Sequence, residues 1–125
     1  MWELAKIFWF ESAHTLEREV DTEPSRRIHG HSYRAEVTIR GMPDPKTGMI
    51  VDLGFFDRTL AEAQAALDHR YLDDIDDLGP PTMENLSAWI WRRMAPVTSG
   101  LVKVTIYRDS KSESCSYYGP QPTTG

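Results

Sequence analysis

Cysteine is almost missing from this chain: Cys115 is the single thiol among 125 residues. No internal disulfide can form, and such sparing use of cysteine fits a reducing, cytoplasmic setting. Positive charge is short as well. Fourteen Lys and Arg stand against nineteen Asp and Glu, a formal net charge of −5. A nucleic-acid binder needs a basic face, so that class is excluded. Long apolar runs are also absent, so no membrane span is expected. The opening Met1-Trp2-Glu3-Leu4 lacks the basic segment and apolar stretch of a secretory signal. Histidine is scarce, with four in the chain, and their placement carries most of the information.

What remains is an ordinary globular composition, 40% hydrophobic and 26% charged. It suits one domain over residues 1–125. From Trp2 to Phe10 both parities are substantially apolar, which predicts a strand covered on both sides. Continuing its parity puts Ser12 and His14 with Phe8 and Phe10. Residues 15–28 read as a charged loop around Pro24. A second strand alternates cleanly: His29, His31, Tyr33, Ala35, Val37 and Ile39 share one parity, with Ser32, Arg34, Glu36, Thr38 and Arg40 on the other. His29 and His31 therefore point to one face, across the side-chain-free Gly30.

The stretch Gly41 to Gly48 is rich in turn formers, and a short strand over Met49–Val51 is expected after it. Phe56, Leu60, Ala63 and Leu67 recur at helical spacing and predict a helix over about residues 53–67. Asp73, Asp74, Asp76 and Asp77 form an acidic loop without the spacing of a calcium site. Thr82 can cap a second helix, with Glu84 in its first turn and Leu86, Trp89, Ile90 and Met94 on its apolar side. Val102, Val104 and Ile106 predict a third strand, Ser114–Tyr118 a fourth, and residues 120–125 a loose tail.

Two constellations carry chemistry. If the first two strands pair antiparallel, His14 meets His29 and His31. Three neutral imidazoles with a fourth position open describe a catalytic zinc site; the competing reading is an ordinary histidine pair on a strand. Asp68-His69 can form an acid/base unit, the carboxylate orienting the imidazole. Neighbours at a helix end often diverge, and a histidine near a helix C-terminus is the simpler account. Arg26-Arg27 reads as a solvated face, the tryptophans and Met94 as core, and Cys115 as packing.

Five segments, in order along nearly the whole chain, resemble the 6-pyruvoyl-tetrahydropterin synthase and 6-carboxytetrahydropterin synthase family. They are Phe10-Glu11-Ser12-Ala13-His14, His29-Gly30-His31-Ser32-Tyr33, Thr47-Gly48-Met49-Ile50-Val51-Asp52, Leu67-Asp68-His69-Arg70-Tyr71-Leu72 and Pro81-Thr82-Met83-Glu84-Asn85-Leu86. The resemblance implies an α+β tunnelling fold: a four-stranded antiparallel sheet with two helices after the second strand. It implies that three sheets join into a barrel, as a homo-oligomeric trimer or hexamer with sites between subunits. It makes His14, His29 and His31 zinc ligands, and Asp68 and His69 the acid/base pair. The implied substrate is a pterin, 7,8-dihydroneopterin triphosphate or a relative. In the bacterial carboxytetrahydropterin branch it loses triphosphate and acetaldehyde on the way to queuosine.

Two positions depart from the family. Its usual cysteine, four residues before His-Gly-His, is Ser25 here, and a hydroxyl needs an adjacent base to act. Glu23, or His69 alone, can stand in. The family's glutamate that accepts from the pterin's amino and ring N–H edge falls on Arg108 counting forward from Val104. Counting back from Cys115, it falls on Asp109. The mismatch of one residue predicts an insertion or bulge in the last hairpin. Asp109 can still accept from a pterin edge, whereas Arg108 is donor-only and suits a carboxylate or phosphate. These departures leave open a divergent zinc-binding homologue with another substrate, or a non-catalytic pterin-binding protein.

Overall fold

Alternation along two long strands decides the architecture. In the computed structural model, which describes residues 1–16 and 26–121, β1 (Trp2–His14) and β2 (His29–Gly41) pair antiparallel along their whole length. The register sets Trp2 against Gly41 and His14 against His29. Residues directly opposite each other share a sheet face. Phe8, Phe10, Ser12 and His14 thus lie on the face of Ala35, Tyr33, His31 and His29. Much of this face is dry, with Phe10, Tyr33, Ala35, Val37 and Ile39 at most 2% exposed.

Two helices, α1 (Leu53–Leu67) and α2 (Met83–Met94), follow β2 and pack on the sheet. Phe56, Leu60, Ala63 and Leu67 form the buried stripe of α1, as their spacing requires. Asp52 caps it, accepting from the Phe55 N–H. Thr82 caps α2 by accepting from the Asn85 N–H, and Arg92 and Arg93 sit in the last turn, where the helix dipole favours cations. Trp89, Leu86, Ile90 and Met94 bury the inner side of α2. The Trp89 indole donates to Asp77 at 2.9 Å, tying the acidic loop to the helix.

The chain then returns through β3 (Leu101–Arg108) and β4 (Glu113–Tyr117). The sheet is four-stranded and antiparallel in the order β1-β2-β3-β4. This is the α+β arrangement expected from the sequence. No helix among the described residues is long and apolar enough to cross a membrane.

Three expectations fail in instructive ways. Met49–Val51 is not a strand. Its backbone is used locally instead: Asp44 N–H donates to the Met49 carbonyl and Gly48 N–H to the Asp44 carbonyl. Ile50 then packs against the core, so its apolar character reports burial and not a ladder. β1 is not covered on both faces within one chain. Trp9, on the face away from the buried aromatics, is 62% exposed. The last hairpin carries no bulge: pairing runs unbroken from Val104–Tyr117 to Arg108–Glu113. Of the two expected alternatives, an insertion or a bulge, the bulge is the one excluded; the turn is a 3₁₀ segment Asp109–Lys111 followed by left-handed Ser112. The register shift in this half of the sheet falls between Thr38 and Ile39, against β3.

Gly100 sets the start of β3. Its φ is +79°, and a Cβ there would lie 2.3 Å from the Arg40 carbonyl oxygen. Gly100→Ala should therefore cost about 1–3 kcal/mol or more of stability. The check is urea denaturation at fixed protein concentration, where the midpoint should fall; an unchanged midpoint contradicts the strain.

Candidate metal centre and active site

The β1–β2 register delivers three imidazoles to one point. One ligand nitrogen each from His14, His29 and His31 lies within 4.8 Å of the others. The rings meet edge to face, with centroids 4.6, 4.8 and 4.9 Å apart. Backbone carbonyls determine which nitrogens are free. A carbonyl only accepts, so His14 Nδ1–H donates to the Pro81 oxygen at 3.0 Å, and His29 Nδ1–H to the Arg27 oxygen at 2.8 Å. In the neutral rings each Nε2 is then a bare lone pair, and the two stand 3.0 Å apart. Two lone pairs face to face repel. A shared cation removes the repulsion, and ligands on a tetrahedral zinc stand about 3.3 Å apart. The third ring agrees, since His31 Nε2 accepts from Arg108 Nη1 at 3.2 Å and so presents a lone pair too. The donor set fits zinc, with carbonyls orienting two ligands from behind.

Burial favours the same state. His14 is 1% exposed. Burial pulls its pKa down against the opposing pull of the Pro81 bond. His31 is pushed down to about 4, first by burial, then by the Arg108 charge and the other two imidazoles. A ring already neutral need not lose a proton to bind metal.

Asp68 and His69 are held at the outer edge of β1. After α1 the backbone turns left-handed at His69, φ +57°. Residues 69–71 then run beside β1: His69 N–H donates to the Glu11 carbonyl and Ala13 N–H to the Arg70 carbonyl, with a bridge from Ala13 to Tyr71. The left-handed turn lets adjacent side chains meet. His69 Nδ1–H donates to Asp68 Oδ2 at 3.0 Å, while Oδ1 accepts from the Glu11 N–H at 2.9 Å. The Glu11 N–H above all, and the His69 bond, hold the Asp68 carboxyl below its usual range. The imidazole is left with a free Nε2 on a side chain 77% exposed. This is the geometry of an oriented general base.

His69 borders a cleft of about 540 Å³ whose lining includes Glu11, Ala13, Gly30, His31 and Ser32. By strand alternation Glu11, Ala13, Gly30 and Ser32 are on the face opposite His14 and His29. Among the described residues no bond joins the His69 ring to the three histidines.

The two alternatives in the last hairpin separate. Arg108 lies beside the histidines, 17% exposed. Nη1 donates to His31 and Nη2 to Glu113, and Nε is buried without a partner among the described residues. Asp109 is 65% exposed and accepts both Nε and Nη2 of Arg34, away from the cluster. Ser25 and Glu23 lie outside the described residues. Cys115 is half-buried and burial pushes its thiol pKa up, in keeping with a packing role.

Three contributors were not read from the sequence: Tyr33, Pro81 and Glu113. The Tyr33 hydroxyl lies 3.4 Å from His14 Nδ1, and burial pushes the phenol up to about 12, so it keeps its proton. Tyr33 continues the histidine parity, which was a usable signal. Glu113 opposes Arg108 across a tight turn, a charge pair legible once the register is known. The Pro81 carbonyl is main chain, and no side-chain pattern announces it.

An antiparallel sheet with three convergent imidazoles and a carboxylate-oriented histidine at its edge defines a site that could hold a metal ion. Residues 3–120 match the family model described as 6-pyruvoyl tetrahydropterin synthase, and the chain belongs to that family. It is 32% identical over 127 residues to the 6-carboxy-5,6,7,8-tetrahydropterin synthase of Synechocystis, covering 97% of this chain and 96% of that one. It is 36% identical over 85 residues to the human 6-pyruvoyl tetrahydrobiopterin synthase, covering 63% and 59% of the two chains. The solved 6-pyruvoyl tetrahydropterin synthase of Caenorhabditis elegans superposes with a TM-score of 0.81 at 27% identity, over 95% of this chain and 96% of that one.

If the three lone pairs share one metal, His14→Ala, His29→Ala and His31→Ala should each weaken zinc binding by more than about 100-fold, beyond the effect of losing an orienting partner. His69→Ala should leave it unchanged. Competition titration with a zinc chelator measures both.

Proposed function

We propose that this chain is a cytoplasmic, zinc-dependent lyase acting on 7,8-dihydroneopterin triphosphate or a closely related pterin. The observation that carries the reading is the pairing of three metal-ready Nε2 atoms with the Asp68–His69 base in a member of this family. Bound zinc would act as a Lewis acid toward the side-chain oxygens of the substrate, making the adjacent C–H protons easier to remove. His69 Nε2 takes such a proton, and ionised Asp68 stabilises the imidazolium that results. Tyr33 keeps its proton beside His14 and is not a base. Ser25 or Glu23, which precede β2 in the sequence, supplies a further proton-handling group where His69 does not suffice.

Within one chain no bond among the described residues joins the base to the histidines, and much of the cleft beside His69 belongs to the face opposite His14 and His29. That favours a site completed by a second copy, in a trimer or hexamer whose sheets join along their edges. The name of the Synechocystis relative supports the carboxytetrahydropterin product; the place in queuosine biosynthesis rests on the resemblance to that bacterial branch. Arg108 beside His31 favours a second reading, a divergent homologue with the same metal site and another substrate.

Turnover of dihydroneopterin triphosphate by the zinc-loaded protein, followed by chromatography of the pterin product, tests the main reading. His69→Gln should lower kcat by about 10²–10⁴-fold with zinc content intact. No turnover of this or related pterins with zinc bound overturns the proposal. Subunit sharing has its own test. His14→Ala and His69→Gln chains, each inactive alone, should regain activity when unfolded together and co-assembled. No recovery in verified mixed oligomers means that each chain closes its own site.

A further inference from the structure

Arg108 and the metal compete for the same electrons. His31 Nε2 has one lone pair, and Arg108 Nη1 donates to it at 3.2 Å. A cation shared through His31 Nε2 with His14 and His29 has to take that same lone pair. Metal binding therefore strips Nη1 of its acceptor. Nε is already buried without one. Glu113 retains Nη2 and keeps the guanidinium in place. The result is a cation whose Nε and Nη1 lack a charged acceptor, with the Tyr33 hydroxyl beside it, mostly shielded from solvent and next to the histidine cluster.

We infer that Arg108, released from His31 when metal binds, anchors an anionic oxygen group of the substrate, a carboxylate or a phosphate ester, beside the metal. The chemistry leaves little choice of partner. Guanidinium only donates, so it cannot pair with the amino and N–H edge of a pterin. A carboxylate or phosphate offers acceptors, and charge-assisted bonds of this kind are the strong ones. Asp109 cannot supply the missing acceptor, being engaged by Arg34 on the surface. Arg108 thereby sets which end of a substrate faces the sheet. The inference rests on the metal site of the proposed function, and not on its pterin chemistry.

The test uses the full chain loaded with cobalt(II), whose visible spectrum reports the coordination sphere. Acetate and methyl phosphate are titrated separately at constant ionic strength, and the tighter of the two identifies the group. Wild type should show a saturable change. Arg108→Gln should weaken the tighter anion by about 10-fold or more, while binding metal at least as well, because a competitor and a like charge have gone. Glu113→Gln, which removes only the hairpin bridge, should retain at least part of the anion affinity lost in Arg108→Gln. Unaltered anion affinity in Arg108→Gln overturns the inference. So does loss of metal in that variant, which would make Arg108 a structural prop for His31. Should Arg108→Gln fail to fold, Arg108→Lys keeps the charge without the fork; a loss of about 3-fold or more supports the inference, and no loss overturns it. Anion anchoring without pterin turnover would leave this inference standing and the lyase reading fallen. Turnover with anion affinity unchanged in Arg108→Gln would do the reverse.

Discussion

The register of β1 against β2 is the constraint on which everything else rests. Side chains alternate with a period of two, so a slip of one residue would carry His14 to the far face while His29 stayed. The register is held by what lies further along the same face. Phe8 and Phe10 pair with Ala35 and Tyr33, and the Phe10 and Tyr33 rings stack with centroids 4.9 Å apart. Moving Phe10 into solvent would cost about 1.5–3 kcal/mol for that side chain alone. The hydrophobic face thus fixes the histidine cluster at its end, and the histidines need contribute nothing to their own placement.

That placement makes burial useful. An exposed imidazole near neutrality spends part of its time protonated, and a protonated ring is no ligand. His14 and His31 are kept neutral mainly by desolvation, the same physics that makes the core. The Pro81 and Arg27 carbonyls then choose the tautomer. Fold and ligand chemistry meet here: a loop before α2 and the entry to β2 each lend one main-chain oxygen, and the Nε2 atoms of His14 and His29 turn inward together.

Strands and helices were legible because their periodicities were clean. The Phe56, Leu60, Ala63, Leu67 stripe located α1, and the Thr82 cap located the start of α2. The histidine triad followed from parity once antiparallel pairing was assumed. What could not be read depended on the main chain or on other copies. Met49–Val51 looked like a strand because apolar residues bury in turns as well as ladders. The two apolar parities of β1 implied cover on both faces, and one chain covers only one. Asp68 and His69 seemed destined to diverge, until the left-handed φ of His69 turned them together. Non-glycine residues seldom adopt that conformation, and sequence gives no notice of it.

The two faces of the sheet divide the chemistry. Helices cover the face that carries the three histidines, of which His14 is buried and His29 and His31 are half-buried. The opposite face stays open, with Trp9 exposed beside Ile7 and Arg34, and the Asp68–His69 base projects from the edge of β1. On the function proposed above, a neighbour's edge brings the base to the cluster. The exposed tryptophan and the separated base are then one fact seen twice. Each is a half-built surface in a single chain, and sheets joined edge to edge would finish both.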